Sequence, residues 1–113
     1  MTISVVAKPD TLRSVAFGSI TNAYLALGTP TTVQARMFRL INATDGDLFF
    51  SLDGTNDNFF VPASSFVLYD LCANRECNGK VFVLPAHTQF YIKYSSAPSK
   101  NSAYLEIIYA LGQ

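Results

Sequence analysis

A chain of 113 residues, half of them hydrophobic and 14% charged, with no net charge, is long enough for one domain and too short for two ordinary ones. Globular chains average roughly 25% charged residues, so the apolar content supplies a full core, disorder over most of the chain is excluded, and Ser, Thr, Asn and Gln must cover much of the surface. The eight basic residues stand singly along the sequence, which argues against a nucleic-acid-binding face, since that binding rests on concentrated positive charge. A neutral surface lacks colloidal repulsion and favours self-association instead.

Strand formers recur at short intervals between turn residues. Residues 3–6 read as a first strand closed by Pro9-Asp10, followed by 13–17 and 24–27 and a break at Gly28-Thr29-Pro30. Residues 33–42 read as a longer strand ending at Thr44-Asp45-Gly46-Asp47, and 47–52 alternate Leu48, Phe50 and Leu52 against Phe49 and Ser51. These two segments are expected to pair as a hairpin. Asp53-Gly54-Thr55-Asn56-Asp57 is a turn cluster, because these residue types tolerate left-handed backbone angles. Strands are then expected at 59–61, stopped by Pro62, and at 66–71, 81–84, 89–94 and 103–110, with a polar loop at 74–79 and a Ser/Pro/Asn connection at 95–102. No window carries the apolar spacing of a helix. The expected fold is all-β: an antiparallel, jelly-roll-like β-sandwich of about eight or nine short strands over residues 13–113. Residues 1–12 add an N-terminal strand on the same sheet or an arm that pairs with a neighbour's sheet edge. An antiparallel barrel is the competing architecture.

One internal echo stands out. Val61-Pro62-Ala63 leads to Phe66 and Leu84-Pro85-Ala86 leads to Phe90. Proline lacks an amide donor and fits a strand boundary where no ladder bond is lost. The pair reads as two equivalent corners, or as loops that present a ligand site on one rim.

Chemistry is harder to find. The single histidine, His87, lies in the second corner with no Gly-x-Ser-x-Gly elbow or other nucleophile motif to work with, so it reads as an exposed loop residue. Asp53, Asn56, Asp57 and Asn58 supply oxygens that calcium would accept, but the spacing of a calcium loop is absent and the plain turn reading is preferred. Cys72 and Cys77 cannot build a tetrahedral zinc site by themselves. They are either free thiols, as expected in a reducing compartment, or a disulfide formed after release from the cell. Asn42-Ala43-Thr44 fits a glycosylation acceptor by chance, since no secretory signal precedes it. No apolar run approaches the roughly 20 residues of a membrane span, so a soluble product made in the cytoplasm is expected, with no membrane or nucleic-acid partner and no cofactor or metal. The pairs Phe49-Phe50 and Phe59-Phe60 cannot put both rings on one face of a strand. Phe49, Phe59, Phe60 and the exposed His87 are therefore candidate interface residues, since outward aromatics often anchor contacts.

The phrasing of the chain is also familiar. Ser14-Val15-Ala16-Phe17-Gly18-Ser19-Ile20, Ala26-Leu27-Gly28-Thr29-Pro30, Phe50-Ser51-Leu52-Asp53-Gly54, Phe60-Val61-Pro62-Ala63-Ser64-Ser65-Phe66 and Leu84-Pro85-Ala86-His87-Thr88-Gln89-Phe90-Tyr91-Ile92-Lys93-Tyr94 resemble small virion proteins of tailed bacteriophages. The likeness runs from about Arg13 to the C-terminus, and its motifs are turns and corners, not an active site. It implies a non-enzymatic β-sandwich component of the phage particle, present in many copies and contacting capsid, portal, collar or tail proteins. Head decoration, a collar or head-to-tail joint and tail attachment all fit. A carbohydrate- or receptor-binding jelly roll at the tail is the rival expectation, with Asp53 to Phe60 as its aromatic and polar platform, weakened by the absence of tryptophan.

Overall fold

Two antiparallel sheets face each other, the sandwich arrangement and not the competing barrel. The computed structural model describes residues 5–71, 76–77, 80–81 and 84–112. Its strands are β1 (Val5–Pro9), β2 (Arg13–Ala16), β3 (Leu25–Ala26), β4 (Ala35–Asn42), β5 (Leu48–Ser51), β6 (Phe59–Val61), β7 (Ser65–Asp70), β8 (Glu76–Cys77), β9 (Lys80–Val81), β10 (Tyr91–Tyr94) and β11 (Ser102–Gly112), with one 3-10 turn at Phe17–Ser19. Sheet A runs β1-β11-β4-β7, with β2 following β1 along the same edge of β11. Sheet B runs β3-β10-β5-β6, and β8 and β9 form a small separate hairpin. The chain is thus an antiparallel β-sandwich, as the sequence pattern leads one to expect.

The core lies between the sheets and is apolar because each strand presents every second residue inward. Sheet A contributes Phe38 and Leu40 from β4 and Ala103, Leu105 and Ile107 from β11, while sheet B answers with Leu48, Phe50, Val61 and Ile92. An aromatic cluster joins the two layers: the Phe38 ring lies 5.2 Å from Phe90, 5.8 Å from Phe59 and 5.1 Å from Tyr69. Ala35 and Phe38, three residues apart, both face inward because the β4–β11 register shifts opposite Ile108 and Tyr109, leaving Arg36 as the extra residue of a bulge.

Three expectations need correction. The segments 33–42 and 47–52 do not pair as a hairpin: β4 bonds β11 and β7, whereas β5 bonds β10 and β6. The intervening turn carries the chain from one sheet to the other, and a buried polar knot holds it. Asn42 Nδ2 donates to the carbonyls of Gly46 (2.8 Å) and Val61 (2.9 Å), while its Oδ1 accepts the Thr44 amide and hydroxyl. Gly46 must be small there, since a Cβ would fall 2.3 Å from the Ser96 carbonyl oxygen. Asn42 is fully buried, so its glycosylation motif is closed off in the folded chain.

The second correction concerns the Pro-Ala corners. They are equivalent in conformation, because Ser64 (φ 57°) and His87 (φ 64°) both adopt left-handed angles two residues after the proline. Each donates its amide to the carbonyl of a buried threonine, Ser64 to Thr44 and His87 to Thr31. They do not share a rim, however. Thr44 lies two residues beyond the end of β4, while Leu84 bridges Ala35 at its first residue, so the corners sit at opposite ends of that strand. The third correction is small: Glu76 and Cys77, inside the expected polar loop, pair with Val81 and Lys80.

The N-terminal segment joins its own sheet, with Val5–Pro9 antiparallel to β11. Arg13, the first residue of β2, is almost completely buried. Its guanidinium donates to the carbonyls of Thr29 (2.7 Å), Thr11 (3.2 Å) and Pro30 (3.3 Å) and lies 3.0 Å from Asp10 Oδ2. The molecule is elongated, 54 Å by 25 Å by 22 Å, and β11, at eleven residues, is longer than any strand of sheet B.

Candidate interaction surfaces

The strand period decides the fate of each aromatic pair. Phe50 and Phe59 point into the sandwich, whereas Phe49 and Phe60 lie opposite each other on the outer face of sheet B, ring centroids 5.2 Å apart. Phe59 is therefore a half-buried core residue, packed on Phe38 and Tyr69, and leaves the set of outward anchors. Phe60 remains 48% exposed. Beside this pair, the Lys93 ammonium sits 4.8 Å from the Tyr24 ring centre and 5.6 Å from that of Phe49. It also pairs with Asp57 at 3.2 Å, and Asp57 accepts a hydrogen bond from the Tyr24 hydroxyl. Burial, reinforced by that bond, pushes the Tyr24 hydroxyl well above the ordinary tyrosine range, and the same bond, helped by Lys93, holds Asp57 below the ordinary carboxylate range.

The Asp53 loop is a self-satisfied turn. Asp53 Oδ1 accepts the amides of Asn56 and Thr55 (2.9 Å each) and the Ser51 hydroxyl (2.7 Å), and Oδ2 accepts the Asn56 side-chain amide (2.7 Å). Asn58 Oδ1 accepts the Leu52 amide at 2.9 Å. The side-chain oxygens of Asp53 and Asn58 thus point at the loop's own donors, and that of Asp57 at Tyr24 and Lys93. These bonds, led by the Asn56 and Thr55 amides, favour the carboxylate and depress the Asp53 pKa far below its ordinary value. A depressed carboxylate stabilises the folded loop above the unfolded-state pKa and loses that contribution as pH falls through the folded value. An NMR pH titration should accordingly find Asp53 still ionised at pH 3.5, near the reference value of about 3.9; a midpoint at or above the reference would contradict this bonding.

His87 is exposed at its corner. Cys72 lies outside the described residues, and Cys77 is described only as backbone in β8, so the proposed disulfide is not addressed by the geometry.

The larger surface is one that reasoning from aromatic pairs missed: the outer face of sheet A. Strand register sets it out as a grid of three rows across β11, β4 and β7. The first row is Tyr104, Ile41 and Phe66; the second is Glu106, Arg39 and Leu68; the third is Ile108, Met37 and Asp70. Six of the nine positions are apolar or aromatic. Phe66 and Leu68 are 58% and 53% exposed, as is Leu12 (53%) on the β1–β2 edge beside Glu106. At the centre Arg39 Nε donates to Glu106 Oε1 at 2.7 Å, and the Arg39 guanidinium lies 5.3 Å from the centre of the Phe66 ring. The signal was present in the sequence as strands apolar on both faces: Phe66-Val67-Leu68-Tyr69 and Tyr104-Leu105 with Ile107-Ile108-Tyr109 read like strands covered on both sides, unlike the one-sided alternation of a solvated antiparallel sheet.

Shallow grooves follow this face, one lined by Met37, Arg39, Leu68, Glu106 and Ile108 and another by Ile41, Ala43, Ser64 and Phe66. Neither gathers convergent polar groups of the kind that orient a small substrate. What the face offers is a broad apolar contact with one charge pair in the middle. Comparisons with protein-family models, with curated proteins and with solved structures find no match to this chain.

Proposed function

We propose that this chain is a non-enzymatic structural component of a tailed-phage virion, acting by protein–protein contact, as head decoration, collar or head-to-tail joint, or tail-associated protein. The observation that carries the assembly part of this reading is the two-sided sheet A, whose outer face exposes Phe66, Leu68 and Leu12 to solvent. Contiguous apolar surface on a soluble domain marks a contact site. The virion setting rests on the turn-and-corner resemblance and on the neutral, weakly charged composition. A carbohydrate-binding role at the tail is the weaker reading, because of the two rings in its platform Phe59 packs inward on Phe38 and Tyr69, and the carboxylates of Asp53 and Asp57 accept bonds from neighbouring side chains.

Mass spectrometry of purified particles of the encoding phage should find the chain in multiple copies per particle. Its absence from the particle would overturn the virion assignment, and saturable glycan binding by the isolated chain would favour the rival. Phe66→Ser with Leu68→Ser should abolish incorporation into particles while leaving the melting temperature within a few degrees, since exposed substitutions away from special features change stability by less than about 0.5 kcal/mol each.

A further inference from the structure

We propose that the outer face of sheet A is covered by a second copy of this chain, stacked about a two-fold axis that runs along the strands between β4 and β11. This deepens the assembly reading given above and rests on it. Charge chooses both the occupant and the axis. Arg39 and Glu106 are direct cross-strand neighbours at the centre of the apolar grid, so the face carries one positive and one negative charge side by side. Such a face is complementary to itself. A two-fold axis along the strands places Arg39 of each copy over Glu106 of the other, joining the two pairs into a four-charge ring. An axis across the strands would instead set Arg39 over Arg39 and Glu106 over Glu106, which like-charge repulsion disfavours.

The chosen axis also matches the apolar positions. It preserves each row and exchanges the two sides, so Tyr104 stacks on Ile41 of the second copy and Ile108 on Met37. At the flanks, Leu68 on β7 is carried over the β1–β2 edge, where Leu12 of the second copy stands beside Glu106. Asp70 lies at an outer corner of the grid, away from the central pair. Four strands about 4.8 Å apart and some seven residues long present roughly 450 Å² in plan, and side-chain relief takes this toward the roughly 800 Å² per partner of a standard interface. Aligned sheets stack about 10 Å apart with an offset near 30°, which the central charge ring tolerates because it lies close to the axis.

The test uses the full-length chain under reducing conditions, so that Cys72 and Cys77 cannot cross-link it, with light scattering behind size exclusion. The wild type should run as a dimer. Arg39→Glu leaves two acids at the centre of the face and Glu106→Arg two bases, so each variant alone should dimerise about 100-fold more weakly or worse. Mixed in equal amounts, the two variants, one with an acidic and one with a basic central pair, should restore the dimer, an outcome that no intramolecular repair can produce and that also shows both variants are folded. A wild type that stays monomeric, single variants that remain dimeric, or a mixture that stays monomeric would each overturn the proposal. Were the dimer instead lost in Phe60→Ser, the contact would lie on sheet B. The particle measurement separates the two readings: a monomer found in many copies per virion would sink the two-fold stack and leave the virion assignment standing.

Discussion

Asn42→Ala should lower folding stability by about 3 kcal/mol and the melting temperature by roughly 10 °C. The side chain is fully buried at the point where the chain leaves sheet A for sheet B. Its amide satisfies the Gly46 and Val61 carbonyls, and its oxygen accepts from Thr44. Truncation takes this partner from the Thr44 amide and the Val61 carbonyl, while the Gly46 carbonyl keeps the Thr44 hydroxyl as a donor at 3.0 Å, and each such loss costs about 1–3 kcal/mol. Two full losses could sum higher, but relaxation and entering water recover part. Leucine, close in volume, should do no better than alanine, because the deficit is of hydrogen bonds and not of packing. Urea denaturation measures this directly. A loss below 1 kcal/mol for both variants would show that the turn reorganises freely and that the knot does not hold the crossing.

Arg13→Ala should cost a similar amount, about 3 kcal/mol, for a different reason. The guanidinium gathers the Thr11, Thr29 and Pro30 carbonyls and faces Asp10, so removing it strands three acceptors and a mostly buried carboxylate together. Lysine should recover only part of the loss, since one ammonium cannot reproduce the planar fork. The site is coupled to Gly28, whose φ is +70° and where a Cβ would meet Arg13 Cγ at 2.7 Å. Gly28→Ala should therefore be costly in the wild type, through both backbone strain and collision. In the Arg13→Ala background the collision with Cγ and Cδ disappears, leaving the backbone strain and the contact with Cβ at 3.0 Å. A double-mutant cycle should thus show coupling above 0.5 kcal/mol. Simple additivity of the two changes would mean that the arginine stem does not set the size of residue 28.

Strand positions were legible because local chemistry decides them. Alternation marked 47–52 and 89–94, strand formers marked 13–17, and proline and glycine marked the breaks, so β2, β5 and β10 fall within those bounds. Equivalent local residues also produced equivalent corners at Pro62 and Pro85, each closing on a left-handed residue. Partner choice was not legible in the same way. The turn at 44–47 has the composition of a hairpin, yet the chain crosses between layers there because Asn42 finds the Val61 carbonyl, nineteen residues away, and because Gly46 admits the backbone of residues 96–98. Long-range contacts of this kind carry no local signature.

The candidate site divides along the same line. The sequence alone determined that one ring of each phenylalanine pair must face outward and that no nucleophile motif surrounds His87. It could not say which ring goes out, since that depends on register: pairing Phe50 with Phe59 and Phe49 with Phe60 sends Phe59 inward, although the outward role was expected of it. Nor could it join Arg39 to Glu106 across 67 residues, or place Phe66, Leu68 and Leu12 on one face. Period-two patterning assigns residues to a side of a strand, but only sheet order decides which strands lie side by side, and the outer face of sheet A exists because β1 and β2, β11, β4 and β7 come together in that order.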